Sequence, residues 1–352
     1  MYFCNVNLHH NYINRCIQLA ANGLGTTYPN PMVGSVIVYD NKIIGEGWHQ
    51  KPGGPHAEVV AINSVQDKSL LEYSTLYVNL EPCSHFGRTP PCSDLIIDSK
   101  IPNVVVGTVD PHVKIAGKGI EKLFDAGVNV TVGVLEKECR FLNRRFFSFH
   151  QKKRPYIILK WAQTNDGFIA PAADFRNKNA SPIWISNAYS RQLVHKWRSE
   201  EQAILIGTQT AVDDNPKLDV RDWTGANPIR IVLDRSKRIS KENHIFGLLA
   251  KTMVVSEGEF SAVDESLAID FGKNLAEQLC ELMYIKEILS VIIEGGRQTL
   301  QTFIDAGLWD EARVFTGTNE FGNGVKAPLL PVGASEKMHV GSDELKIYLN
   351  HD

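Results

Sequence analysis

Apolar residues along the first half of the chain switch between two periods. From 11 to 21, Tyr12, Ile13, Cys16, Ile17, Leu19 and Ala20 recur at helical spacing behind Asn11, a side chain suited to capping a helix. Tyr28-Pro29-Asn30-Pro31 breaks that pattern. Residues 33–39, rich in β-branched side chains, then predict a strand that turns at Asp40-Asn41-Lys42 and returns over 43–49 as a hairpin. A helix begins near Pro55 and runs through Val59, Val60 and Ile62, with His56 and Glu58 in its first turn; 75–80 is a buried strand. Pro90-Pro91 sets up a second helix with Cys92 in its first turn. Strand 103–109, helix 117–126, strand 128–132 and a last helix over 135–149 complete an alternation that predicts an α/β domain with helices on both faces of one sheet.

Lys152-Lys153-Arg154-Pro155 is basic and ends in a helix breaker, so we place a domain boundary there, giving 1–150 and 151–352, and read the run as a solvated linker. Beyond it lie a strand over 155–162, a turn at Thr164-Asn165-Asp166-Gly167, a helix over 187–198 and strands over 203–207 and 229–233. After a weakly patterned stretch, the apolar strand 290–294 runs into Gly295-Gly296 and a helix over 298–306. Backbone amides at such a helix start can cradle phosphate, although paired glycines also make ordinary turns. The G-x-G-x-x-G fingerprint is absent here, which disfavours a Rossmann fold.

With 352 residues, 43% of them hydrophobic, the chain can bury two or three cores. A net charge of -3 leaves no basic footprint for nucleic acid. No run of about 18 apolar residues occurs, and the N-terminus lacks a basic-then-apolar leader pattern, so a cytoplasmic, membrane-free protein is expected. Six cysteines suit a reducing compartment and a metal site better than a disulfide framework.

The candidate chemistry is concentrated between residues 51 and 92. Pro55-His56-Ala57-Glu58 precedes Glu81-Pro82-Cys83, and Cys92 closes the segment. One imidazole and two thiolates suit zinc and leave a fourth tetrahedral position for water, the arrangement of a catalytic site. A closed structural site would recruit His85 as fourth ligand, and Cys83 alone would read as a core thiol. Glu58, two residues past His56, is placed to take a proton from water and hand it to a departing amine. The order H-x-E, then P-C, then C is that of zinc-dependent nucleobase deaminases, with eight residues between the cysteines in place of the commoner two. Cys4, Cys16, Cys139 and Cys280 are left as ordinary thiols.

Residues 27–34 (TYPNPMVG), 45–49 (GEGWH), 55–58 (PHAE) and 81–92 (EPCSHFGRTPPC) together resemble the bifunctional riboflavin-biosynthesis deaminase/reductase family, in which the eight-residue cysteine spacing is usual. The resemblance implies an N-terminal cytidine-deaminase-like three-layer domain. Its substrate would be a diaminopyrimidinone carrying a ribosylamino 5'-phosphate, with His56, Cys83 and Cys92 on zinc and Glu58 shuttling protons. Asn30, His49 and His85 would line the pocket, and Arg88 would meet the phosphate, which its guanidinium fork suits. His112 stands where the family more often has asparagine, with Lys114 on the same loop.

In the second half, Lys160-Trp161-Ala162, Trp184-Ile185-Ser186, Asp213-Asp214-Asn215-Pro216 and Glu294-Gly295-Gly296 resemble the reductase half of the same family, which has a dihydrofolate-reductase-like fold. The resemblance implies hydride transfer from NADPH to C1 of the ribosyl group. Ala162, Ser186, Thr210, Asp214, Gly296, Arg297, Gln298, Thr299, Leu300, Gln301 and Thr302 would contact NADPH. Pro182, Trp184, Arg198, Leu218, Arg221 and Glu294 would meet substrate, the two arginines on its phosphate, with Lys160 near the reacting end. It also implies a homo-dimer or tetramer. Three departures stand out: Phe168 replaces a basic residue, Pro182 replaces a common serine, and about six extra residues fall around 174–180. A deaminase with an inert second domain, a nucleic-acid-editing deaminase and a non-catalytic zinc scaffold are the competing readings, the second opposed by the charge and the third by Glu58.

Overall fold

The computed structural model describes residues 2–86, 90–112, 116–172, 183–258 and 265–350, with side chains from residue 8 onward. The chain divides into two compact units, Met1–Lys153 and Arg154–Asp352.

The first unit is built on a five-stranded sheet of order β2-β1-β3-β4-β5, from β1 (Gly34–Tyr39), β2 (Lys42–Trp48), β3 (Thr75–Leu80), β4 (Asn103–Thr108) and β5 (Asn129–Val132). β1 runs antiparallel to β2 and β3, and β3, β4 and β5 are parallel. Because side chains alternate along a strand, the sheet feeds two cores. Leu76, Val78, Val104 and Val106 pack with Ala61 and Ile62 of α2 (Ala57–Ser64), Ile96 of α3 (Cys92–Asp98) and Leu123 of α4 (Lys118–Asp125). Val36, Val38, Tyr77 and Val105 pack with Ile13, Cys16 and Leu19 of α1 (Tyr2–Ala21) and Cys139 of α5 (Glu136–Leu142). Helices therefore cover both faces, as the alternation predicts. Each fully buried aliphatic side chain in these cores contributes about 1.5–3 kcal/mol.

Two predicted boundaries shift, and at each a side chain makes a contact with a distant part of the chain. α1 begins at Tyr2, so Asn11 lies inside the helix and caps nothing; His9 ties the extra turns down through Nδ1, 2.9 Å from the Tyr77 hydroxyl. The single helix expected over 135–149 is two, α5 and α6 (Arg144–Lys152), parted at Asn143. That side chain is buried and reaches back to Met32, accepting from its N–H at 2.8 Å and donating to its carbonyl at 2.8 Å.

The second unit carries a nine-stranded sheet of order β11-β10-β9-β8-β12-β6-β13-β16-β15. In chain order the strands are β6 (Tyr156–Gln163), β7 (Phe168–Pro171), β8 (Ala203–Ile206), β9 (Ile229–Leu233), β10 (Thr252–Ser256), β11 (Glu265–Ala268), β12 (Ser290–Glu294), β13 (Glu311–Thr316), β14 (Gly324–Lys326), β15 (Glu336–Val340) and β16 (Asp343–Leu349), with β7 and β14 forming a separate ribbon. The pairs from β11 across to β13 are all parallel, and β16 and β15 close that end antiparallel. Ile157, Leu159 and Trp161 face α9 (Leu275–Ile285) and α10 (Arg297–Asp305), while Tyr156 and Ile158 face α7 (Ala188–Glu200) through Val194 and Trp197. α8 (Thr208–Asp214) follows β8.

Of the basic run at the boundary, Lys152 and Lys153 are exposed, as a solvated linker would be, but Arg154 is not. Arg154 is buried and forms a fork on Asp310, with its two terminal nitrogens 2.5 and 2.9 Å from the carboxylate oxygens. Asp310 also accepts from the Ile157 N–H at 2.9 Å, so one carboxylate fixes the start of the central strand β6. Removing one partner of such a pair strands a buried charge, so we expect Arg154→Leu to destabilise the protein by about 3–5 kcal/mol. Urea unfolding measures this, and the double replacement Arg154→Met/Asp310→Leu should recover much of the loss.

Candidate functional site

The first site is assembled where β3 ends and two helices begin. His56 is the residue before α2, in extended conformation, and α2 sits close against β2 because Gly45 and Gly47 face it. A Cβ on Gly47 would lie 2.5 Å from Val60 Cβ, and one on Gly45 would lie 2.5 Å from the Ala61 carbonyl oxygen. Cys83 lies in the loop after β3, and Cys92 opens α3, donating its backbone N–H to Cys83 Sγ at 3.3 Å. His56 Nδ1 is 3.5 Å from Cys83 Sγ and 3.3 Å from Cys92 Sγ. A tetrahedral zinc with ordinary Zn–S and Zn–N bonds needs ligand–ligand edges of about 3.5 Å, so the donor set fits that ion. His85 is exposed and does not join the cluster of possible metal ligands among the described residues, which consists of His56, Cys83 and Cys92. The closed four-ligand alternative therefore has no geometric support.

Electrostatics separate the groups around this triad. Glu58 is buried on α2, and desolvation, with the Cys83 charge beside it, pushes its carboxyl up to about 7. Within the cysteine pair, hydrogen bonding from Cys92 and His56 pulls the Cys83 thiol down, the order expected where a helix N-terminus meets a thiolate. His49 is buried, and desolvation lowers its pKa. Its Nδ1 lies 3.0 Å from the Pro55 carbonyl, to which it donates, and its Nε2 accepts from Asn30 Nδ2 at 3.0 Å. Asn30 sits on the segment that Asn143 and Asn79 anchor through Met32 and Gly34.

Glu81, read in the sequence only as part of the Glu81-Pro82-Cys83 motif, holds the neighbouring loop through its carboxylate. It accepts from Asp110 N at 3.1 Å, Gly117 N at 2.9 Å and Gly119 N at 2.8 Å. Gly119 then lies so close to the metal loop that a Cβ there would come within 2.0 Å of the Pro82 carbonyl oxygen. Burial, ahead of the nearby Glu81 charge, raises Asp110, and His112 donates its N–H to Asp110 at 2.7 Å. The leftover thiols Cys16, Cys139 and Cys280 are free and buried, as expected; the Cys4 side chain lies outside the described residues.

The second site forms beneath α7. Lys160 on β6 and Glu294 on β12 are register partners, and Lys160 Nζ is 3.8 Å from the Glu294 carboxylate. Arg198 on α7 forks onto the same carboxylate, Nε at 3.2 Å and a terminal nitrogen at 2.8 Å, and donates to the Asp219 carbonyl at 3.3 Å. Burial alone would raise Glu294, but Arg198 and Lys160 outweigh it and bring the carboxyl down to about 2. Burial, reinforced by Arg198 and opposed by Glu294, lowers Lys160. Arg221 is half exposed and pairs with Asp219 at 2.8 Å. Both expected phosphate-binding arginines already face a carboxylate, and they differ in exposure: Arg198 is held on buried Glu294, whereas the Arg221 guanidinium is open to solvent.

Thr210, Gly295, Gly296 and Thr299 converge where α8 and α10 begin. Gly295 and Gly296 both have positive φ, and a Cβ on Gly295 would strike Thr210 at 2.6 Å; one on Gly207 would meet Thr299 Oγ1 at 2.6 Å. The side chains of other residues expected at the cofactor or the substrate have protein partners. Leu300 is fully buried in the core, and Leu218 is packed with Ile204, Ile206 and Val232. Gln301 donates to Asp305 and accepts from Leu329 N, and the Thr302 hydroxyl donates to the Gln298 carbonyl. Trp184 is exposed, with Arg191 stacked 4.6 Å over its ring and donating to the Ser186 carbonyl at 2.5 Å. Ala162 is half-buried on β6 and Asp214 ends α8; Arg297 begins α10. Phe168 is buried, yet Lys326 Nζ lies 4.9 Å over its ring, so a cation stands beside that position from another strand. Arg88, Lys114, Pro182 and the 174–180 stretch lie outside the described residues.

Residues 6–108 match the family described as cytidine and deoxycytidylate deaminase zinc-binding region, and residues 155–344 match the RibD C-terminal domain. A riboflavin biosynthesis protein RibD of Aquifex aeolicus is 40% identical over 335 residues, covering 93% of this chain and 92% of its own length. Its counterpart from Actinobacillus pleuropneumoniae is 44% identical over 347 residues, covering 95% and 88%. Among solved structures, a diaminohydroxyphosphoribosylaminopyrimidine deaminase/5-amino-6-(5-phosphoribosylamino)uracil reductase from Thermotoga maritima superposes with a TM-score of 0.87 at 37% identity, covering 97% of this chain and 99% of that one. Acinetobacter baumannii RibD gives 0.88 at 30% identity, covering 98% and 99%.

The ion triplet under α7 makes stability depend on acid. Glu294 titrates from 4.5 in the unfolded chain to about 2 when folded, so the stability it lends is fully present above pH 4.5 and is lost as pH falls through the folded value. We expect wild type to lose on the order of 2–3 kcal/mol to this group across that window. Arg198→Met should flatten that dependence, a difference read by urea unfolding between about pH 5 and 3.

Proposed function

We propose how labour is divided within a chain that belongs to the RibD family, the bifunctional deaminase/reductases of riboflavin biosynthesis. The chain is a deaminase and a reductase acting on a small molecule. In our reading the first unit hydrolytically deaminates a 2,5-diamino-6-ribosylamino-pyrimidinone 5'-phosphate, and the second reduces the ribosyl group of the product to ribityl.

His56, Cys83 and Cys92 would hold one zinc ion, whose chemistry when bound is to acidify water so that it attacks at neutral pH. Glu58 moves the protons. Buried beside the triad with its carboxyl near neutrality, it can accept a proton from water and return it to the leaving amine. His49 fixes the Asn30 amide by accepting from its nitrogen, which reserves the Asn30 carbonyl oxygen for a pyrimidine N–H. Arg88 would meet the phosphate, which its guanidinium fork suits.

In the second unit the NADPH cradle would run from Thr210 to Gly296 and Thr299, with Ala162, Ser186 and Asp214 flanking it; the cofactor supplies hydride. Glu294 orients Lys160, whose ammonium is suited to donate to the ribosyl oxygen as the ring opens. Arg221 takes the phosphate, and Arg198 acts on the substrate through Glu294. A homo-dimer or tetramer in the cytoplasm belongs to the same reading; among the described residues no helix is long and apolar enough to cross a membrane.

The observation that carries the proposal is the imidazole and two thiolates at zinc-ligand spacing with a buried carboxylate two residues from the imidazole. Glu58→Gln should lower kcat for ammonia release by about 10²–10⁴-fold while leaving NADPH oxidation with the deaminated intermediate unchanged. Unchanged deamination would remove Glu58 from the mechanism.

A further inference from the structure

His195 sits on α7 one turn before Arg198, is buried, and has no role in the functional reading above. Its contacts all go to one short segment. Nδ1 lies 3.0 Å from the Asp219 carbonyl, to which it donates; the Arg221 N–H lies 3.5 Å from the same ring nitrogen, which cannot accept from it while carrying that proton. Nε2 is 3.2 Å from the Asp222 carboxylate. The segment is also held by Arg198 on the Asp219 carbonyl and by Asn227, which accepts from Val220 N at 2.7 Å. Within it, Asp219 and Asp222 are the two carboxylates within reach of Arg221, at 2.8 and 3.8 Å.

A guanidinium recognises an anion well only if its backbone is fixed and competing carboxylates are restrained. The imidazole serves the first need: its Nδ1–H holds the Asp219 carbonyl, two residues before Arg221. From this geometry we propose that His195 is a positioning residue of the reductase half, holding residues 219–222 so that Arg221 is presented to the phosphate of the substrate. The inference deepens the reading of Arg221 given above and rests on it. It asks nothing of His195 in hydride or proton transfer.

The test compares the phosphorylated reductase substrate with the same compound lacking its 5'-phosphate, in the full chain. His195→Phe should raise KM for the phosphorylated substrate about tenfold, the loss of one well-formed hydrogen bond, with kcat within about twofold. It should leave kinetics with the dephosphorylated compound, and deamination, unchanged. His195→Gln, whose amide can still donate to the Asp219 carbonyl, should restore much of the KM. In an Arg221→Ala background, His195→Phe should add nothing, because the two changes remove one interaction. Equal losses on both substrates, or additive effects of the two changes, would overturn the positioning role alone. If Arg221→Ala leaves the preference for the phosphorylated substrate intact, the phosphate reading of Arg221 fails and takes this inference with it. Should His195→Phe not fold, the Gln variant and the same pair of substrates still decide the matter.

Discussion

Burying a carboxylate is expensive unless something meets its charge, and both halves of this protein are arranged around how that demand is answered. Glu81 is met by backbone N–H groups and so fixes a loop. Asp310 is met by Arg154 and a strand N–H and so fixes the first strand of the second unit. Glu294 is met by a guanidinium and an ammonium, and it stays ionised far below the usual carboxylate range. At Glu58 burial prevails over the stabilising contacts, and its proton affinity climbs toward neutrality. The same side-chain chemistry thus yields three anchors and one carboxyl whose proton affinity lies near neutrality, according to what surrounds it.

α7 organises the second site through a single stripe. Arg191, His195 and Arg198 follow one another at four- and three-residue intervals, which places them on one face of the helix. Arg191 holds the Trp184–Ser186 stretch, His195 holds residues 219–222, and Arg198 holds Glu294. Segments widely separated in sequence are brought to one place by residues within two turns of helix. Val194 and Trp197, on the adjacent face, seat the helix on Tyr156, Ile158 and Phe315 of the sheet, so packing sets the position of the polar stripe.

Much of the scaffold is legible from periodicity because its central strands are short apolar runs bounded by turns. β3, β9 and β12 fall on the ranges expected of them, and helices on both faces of the first sheet follow from the alternation of elements. The weak pattern between 239 and 288 conceals β10, β11 and α9, and β13 to β16 have no counterpart among the predicted elements. β11 and β15 are edge strands with little burial, and β14 has three residues, so none carries a clear two-residue alternation. The metal triad was legible because ligand chemistry restricts residue type and order. Contacts made across the chain were not: nothing near Asn143 announces that it will bind the backbone of Met32, 111 residues earlier. Motif position likewise could not tell that Leu218 and Leu300 turn into the core or that Arg198 already has a partner.

The Asn143 contact also bears on where the deaminase half ends. The recognised zinc-binding region stops at residue 108, and β5 completes the sheet soon after. Yet the segment that carries Asn30 is pinned by a side chain at the joint between α5 and α6, well past both points. A fragment cut at the last strand would keep His56, Cys83 and Cys92 and lose the clasp on the segment that carries Asn30. The smallest piece able to keep that clasp extends past α5 to Asn143, so the folded module is longer than the signature by which it is recognised.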